Sequence, residues 1–237
     1  MRKEFITKGI QSVVFLPPFE PTNKIAFANE FVVKTENVFS YDPQIISLPK
    51  EAPPEIPRII LKNADQTYQV QFSRNRIAFV FQDVENLNPA LDVIYPNYRL
   101  NLSRILQAIT TTVTLPFNRF GFVLQILYEV PESIHQLFSE KYLKANSFSD
   151  AWELQMSVHH ILRMDEFSTN RWIRYRTLRK REDLSIDTGL SIEIDINTVA
   201  DQNLNAGSGV ALNFFMAAKS HIEKDLNIFP FFDESVD

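Results

Sequence analysis

The stretch "QTYQVQFSRNRIAFVFQ", residues 66–82, decides the fold class. Tyr68, Val70 and Phe72 alternate with Gln69 and Gln71, and after the turn "SRN" the alternation resumes with Ile77, Phe79 and Phe81. In an extended chain successive side chains point to opposite faces, so this pattern predicts an antiparallel hairpin with one buried face. "RIILKN" ahead of it reads as a third strand, and "QSVVFL" at 11–16 as a short buried one. Between Pro43 and Pro57 five prolines mark an extended connector, because each disfavours helix in the residue before it.

Two helical patterns flank these strands. In "TNKIAFANEFVVKTENVF", Ile25, Ala28, Val32 and Phe39 fall near one face, with Thr22 or Asn23 as cap. From Asn97, residues Tyr98, Leu102, Ile105, Leu106, Ile109 and Val113 form one apolar stripe. The plan then repeats. "RFGFVLQILYEV" is a strand, and Pro131 opens a helix carrying Ile134, Leu137, Phe138 and Tyr142. Strands at 151–164, 170–181 and 189–197 follow, and a last helix begins near "GSGVALNFFMAAKSHI". The expected architecture is α+β and two-layered. Two duplicated halves, 1–116 and 117–237, each spell strand, helix, three strands, helix, and join edge to edge into one mainly antiparallel sheet with the helices on one face.

The 237 residues include no cysteine, which excludes disulfides and cysteine-ligated zinc, and twenty Phe against five Gly describe a densely packed chain. No apolar run approaches the ~18 residues of a membrane span, and the N-terminus lacks a signal-peptide core, so the expectation is a cytoplasmic protein without membrane attachment. The formal charge of −5 speaks against whole-protein attraction to nucleic acid.

"PEIPRIILKNADQTYQVQFSRNRIAFVF", "YPNYRLNLSRIL" and "RFGFVLQILYEV" together resemble a sporadically distributed bacterial family of comparable length, over residues 50–130. The likeness lies in a proline-led hairpin, a tyrosine before a helix and an arginine-glycine strand after it. The chain departs from that family at the central strand, where "LQILYE" replaces a polar "RYIN"-like ending. The family has no established activity, so the resemblance implies no site residue. Its scattered occurrence implies a bacterial defence or toxin–antitoxin-like setting.

"RWIRYRTLRKRED", residues 171–183, is the most charged segment, with Arg171, Arg174, Arg176, Arg179, Lys180 and Arg181 threaded by Trp172 and Tyr175. Cations between aromatics suit nucleic acid. The following segment, "LSIDTGLSIEIDIN", carries apolar residues at even positions and Asp187, Glu193 and Asp195 at odd ones. If the two strands pair, the acidic stripe faces the basic one. With Glu182 and Asp183, five carboxylates then meet six cations, leaving +1.

His159 and His160, adjacent in a strand, point to opposite faces and cannot share a metal, and His160 lies in an apolar register expected to be core. His135 and Glu140 share no helix face, His221 suits a helix C-terminus, and Ser208 reads as a helix cap in "NAGSGV". No catalytic motif, metal site or cofactor is expected. The tail "LNIFPFFDESVD" places Phe229, Phe231 and Phe232 around Pro230, either self-packed or as a linear anchor for a partner.

The expectation is a non-enzymatic binding module for a protein partner or a second copy of itself. Arg171, Trp172, Arg174, Tyr175, Arg176 and Arg179 are its candidate contact residues. Nucleic-acid binding through the same strand and an enzyme of unrecognised class remain the alternatives.

Overall fold

A computed structural model describes residues 5–129, 153–180, 183–200, 202 and 204–227. The elements are β1 (Phe5–Phe15), α1 (Lys24–Lys34), β2 (Gln44–Ile45), β3 (Ile59–Lys62), β4 (Tyr68–Phe72), β5 (Arg76–Gln82), α2 (Leu91–Thr112), β6 (Arg119–Tyr128), β7 (Gln155–Met164), β8 (Phe167–Lys180), β9 (Asp183–Thr198) and α3 (Ser208–Asn227). The nine strands form one sheet in the order β2-β3-β4-β5-β1-β6-β9-β8-β7, and every pairing is antiparallel. The chain is therefore α+β with an antiparallel sheet. β1 and β6 pair at its centre, Phe15 opposite Arg119 and Phe5 opposite Tyr128, and outward from them the order is β5-β4-β3 on one side and β9-β8-β7 on the other.

Side-chain parity divides the sheet into two faces. Phe72, Phe79, Phe120, Phe122 and Phe167 share one parity and meet the helices through ring contacts. Phe27 and Phe31 of α1 sit on Phe72, Tyr98 of α2 stacks on Phe79, and Phe214 and Phe215 of α3 pack on Phe120. We call this the core face. The other parity, the polar face, displays Gln69, Gln71, Gln11, Gln125, Glu193, Asp195, Trp172, Arg174, Arg176 and His159.

Tyr98 is fully buried, and its hydroxyl lies 2.9 Å from Ser12 Oγ and 3.1 Å from the Phe79 carbonyl. Burial pushes its phenol well up, with the Ser12 hydrogen bond opposing. One polar group thus ties α2 to β1 and β5. The proline connector is held by arginines instead. Prolines supply carbonyls but no N–H. Arg58 donates towards the Leu48 and Pro49 carbonyls, Arg74 to that of Lys50, and Arg76 to that of Glu55.

Several elements differ from their sequence expectation for identifiable reasons. β1 begins at Phe5 rather than 11 because Lys8 is an extra residue in the ladder to β6, between Thr7 and Gly9, and breaks the period. Asn23 caps α1 by accepting from the Ala26 N–H, which sets a phase that buries Phe27, Ala28 and Phe31 and leaves Ile25 63% exposed. α2 starts at Leu91, not Asn97, and contains Pro96. Near the N-terminus that proline removes only the bond to the Asp92 carbonyl. Ser208 is the first helical residue of α3, not its cap; the Gly207 carbonyl accepts the Ala211 N–H at 3.1 Å. The helix read after Pro131, with His135 and Glu140, and the tail carrying Phe229, Phe231 and Phe232 lie outside the described residues.

Replacing Tyr98 by Phe should lower stability by about 1–2 kcal/mol, since it strips a buried hydrogen bond. Tyr95→Phe, whose hydroxyl reaches the Phe215 carbonyl only at 3.4 Å, should cost distinctly less. Urea unfolding of both variants checks the ranking.

Candidate functional site

The β8–β9 register decides what the basic strand does. It sets Trp172 opposite Asp195, Arg174 opposite Glu193 and Arg176 opposite Ser191. All three lie on the polar face. Arg171, Ile173 and Tyr175 take the other parity, and Tyr175 is buried there. A ladder with two register shifts carries Arg179 opposite Asp187 and Lys180 opposite Asp183 at the hairpin end. The run that looks continuous in sequence is therefore divided between two faces of the sheet.

Its polar-face half is neutralised. Arg174 ion-pairs with Glu193 and lies 3.7 Å from Asp195, while Gln125 Nε2 donates to the other Glu193 oxygen at 3.0 Å. Arg176 ion-pairs with Glu153, just ahead of β7, a partner that the β9 pattern does not reveal. Partial burial works to raise the Glu153 pKa, but hydrogen bonds from Gln155 and Arg176 and the Arg176 charge outweigh it and hold the carboxyl low. Trp172 stacks on His159 at 4.2 Å and 12°, with the Arg174 guanidinium 5.7 Å from the indole. His159 meets Asn170 Oδ1 at 3.1 Å. His160 takes the opposite face, as its parity requires, yet is exposed instead of core; no described strand follows β7 in the sheet.

A hollow of about 490 Å³ opens on this face over β6, β9, β8 and β7. Gln125, Ser157, Ser191, Glu193, Arg174 and Arg176 supply its polar lining, Leu127 and Leu178 an apolar end, and Lys8 its rim on the β1 side. Tyr175 borders it, whereas His159 does not. The β1 bulge brings Lys8 there. Its ammonium donates to Asp83 Oδ2 at 3.1 Å and Asn88 Oδ1 at 2.6 Å. Asp83, its side chain 3% exposed, also accepts from the N–H groups of Leu87 and Asn88. Burial works to raise its pKa; the Lys8 hydrogen bond, the two backbone N–H groups and the Lys8 charge overcome it and leave the pKa lowered.

Gly189, opposite Leu178, fixes the apolar end. Its φ is +142°, and a Cβ there would stand 2.7 Å from the Tyr128 carbonyl oxygen. Only glycine allows β9 to bend against β6 at that point. Neither Lys8, Asp83, Glu153 nor Gly189 carries a periodic signal, and sequence reasoning missed all four. Among the described residues no group of three His, Cys, Asp or Glu side chains is placed to hold a metal, and no helix is long and apolar enough to cross a membrane.

Because Asp83 titrates below its ordinary value, its pairing contributes stability above the unfolded Asp pKa of about 3.9 and loses it as pH falls through the lower folded value. Asp83→Asn should be less stable than the parent at neutral pH, with the gap closing on acidification. Thermal melts from pH 7 downward measure this.

Compared with protein-family models and with curated proteins, the chain matches none.

Proposed function

We propose that this chain is a non-enzymatic binding module that receives a segment of a protein partner on the polar face of its sheet, in the hollow over β6, β9, β8 and β7. The observation that carries the reading is the state of the hollow's cations. Lys8 is tied to Asp83, Arg174 to Glu193 and Asp195, and Arg176 to Glu153. A phosphate backbone gains affinity by displacing counterions from its own charge, and cations already matched by carboxylates on the same surface contribute little to that. What the hollow offers is a mixture of amide, hydroxyl and paired-charge groups beside Leu127 and Leu178, which suits a neutral polar segment with one apolar anchor.

The proposal includes an internal duplication and a two-layer arrangement. Support comes from the matching strand orders on either side of β1 and β6 and from helices meeting side chains of one parity. A cytoplasmic setting, expected from the absence of cysteine and of any apolar run of membrane-spanning length, belongs to the same reading, and a bacterial defence or toxin–antitoxin-like system rests on the family resemblance alone. Nucleic-acid binding keeps one supporting observation, the His159–Trp172 stack with Arg174 beside it, a platform on which a base could lie.

Placing a photo-crosslinking residue at Ser191 in living cells tests the reading. The expected result is a protein adduct formed at Ser191, absent when the probe sits at exposed Ile25, and suppressed by filling the hollow with Ser157→Trp. Adducts to RNA or DNA, or steeply salt-dependent retention on a nucleic-acid column, would replace this reading with the nucleic-acid one.

A further inference from the structure

β7 is the last strand at its end of the sheet; no described strand lies beyond it. Edge strands normally carry a device against pairing: a proline, a lysine, a bulge or a short length. β7 has none of these. It runs ten residues, "QMSVHHILRM", its ladder to β8 shows no register shift, Arg163 is its only Lys, Arg, Asp or Glu side chain, and Ile161 is 75% exposed. Met156, Val158 and Leu162 pack against the core while staying partly exposed. A regular, weakly charged strand with no described strand along its outer side is a template for another strand.

We infer that the occupant is β7 of a second copy, joined antiparallel about a twofold axis at His160. Opposed residues in an antiparallel ladder share a face, so the axis must fall on a residue, and its position fixes every pair. An axis at His160 sets Val158 against Leu162 and Met156 against Met164 on the core face, apolar on apolar throughout except at the axis. On the polar face it sets His159 against Ile161 and Ser157 against Arg163. No like charges oppose one another. An axis at His159 would instead place Val158 against His160 and Ser157 against Ile161. An axis at Ile161 would bring Arg163 against His159 and His160 against Leu162. The His160 register is the one in which the strand complements itself, and such an interface is isologous and closed.

The joint reaches the hollow. Ser157 lines it, so in the pair Arg163 of the second copy stands at its rim. Each hollow thereby gains a cation from the other protomer. The inference itself does not depend on what the hollow binds.

Sedimentation velocity of the full chain over a range of concentrations tests it. A ten-residue seam is small beside a standard interface of about 1,200–2,000 Å², so reversible dimerisation with Kd of about 1–100 µM is expected. Ser157 and Arg163 are both exposed, so charge can be changed there without touching the core. Ser157→Arg should weaken the dimer and Ser157→Glu tighten it, each by roughly two- to thirtyfold from two symmetric cross-strand pairs. The double variant S157R/R163E should restore it. A chain that stays monomeric throughout, as it would with the edge covered by another part of itself or by a foreign strand, overturns the inference. So does a dimer indifferent to Ser157→Arg, or a double variant that fails to recover, which would put the seam or its register elsewhere.

Discussion

The ladder between β1 and β6 is the constraint on which the other arrangements depend. It runs from Phe5–Tyr128 to Phe15–Arg119 and makes one sheet of what would otherwise be two. Because side chains alternate, that single register assigns every residue on either side to a face. It puts Ser12 beneath Tyr98 and Phe120 beneath α3, and through β6 it fixes β9, with Glu193 opposite Gln125 and Asp195 opposite Val123. β9 in turn fixes β8. The β8–β9 ladder then pairs Arg174 with Glu193 on the face that the alternation through β6 and β9 makes polar. A slip of one residue at the centre would exchange the core for the polar face over half the molecule.

The one place where that ladder is interrupted is also where the hollow acquires its rim. Lys8 is a residue too many for β6, and the bulge turns it out of the alternation towards Asp83 and Asn88. Asp83 in turn holds the loop after β5 by accepting two of its N–H groups. At the opposite end Gly189 provides the second irregularity, where β9 bends against the Tyr128 carbonyl. Between two such irregularities the regular sheet supplies a floor, and the irregular residues shape its ends. Bulges and positive-φ glycines in a sheet cost pairing energy, so a pair of them bracketing one depression is more readily explained by the depression than by the sheet.

How much of this was legible in sequence follows from the range of each signal. The β4–β5 hairpin and the Tyr98-to-Val113 stripe were readable because one face of each is buried and the period is unbroken. The opposition of arginines and carboxylates on β8 and β9 was readable for the same reason. Yet the same parity that brings Arg174 to Glu193 sends Arg171 and Tyr175 to the core face, a division the eye misses when six cations stand within eleven positions. What was not readable depends on strand order or on single residues. His160 sits in an apolar register, but whether that register is covered depends on strand order, in which β7 stands last among the described strands, and no local pattern encodes that order. Glu153 and Asp83 act from just outside strands. The Lys8 bulge erases the very alternation by which β1 would have been recognised.

The chain's negative charge and its basic strand cease to conflict once parity is taken into account. A chain of formal charge −5 could still present a cationic surface if its cations shared a face and its acids lay elsewhere. Here the reverse holds on the face that matters: Lys8, Arg174 and Arg176 each have a carboxylate within ion-pair distance on the same surface. Exposed pairs of this kind contribute little to stability, typically below about 1 kcal/mol each. Their effect lies in orientation, since each long side chain is directed to a carboxylate on a neighbouring strand or just beyond one. Holding Arg174 against Glu193 also keeps it beside Trp172, which is already stacked on His159. The result is a surface whose charged and aromatic groups are paired with one another. On the binding reading proposed above, a docking segment would meet side chains already paired with one another, which lowers the entropic cost of docking.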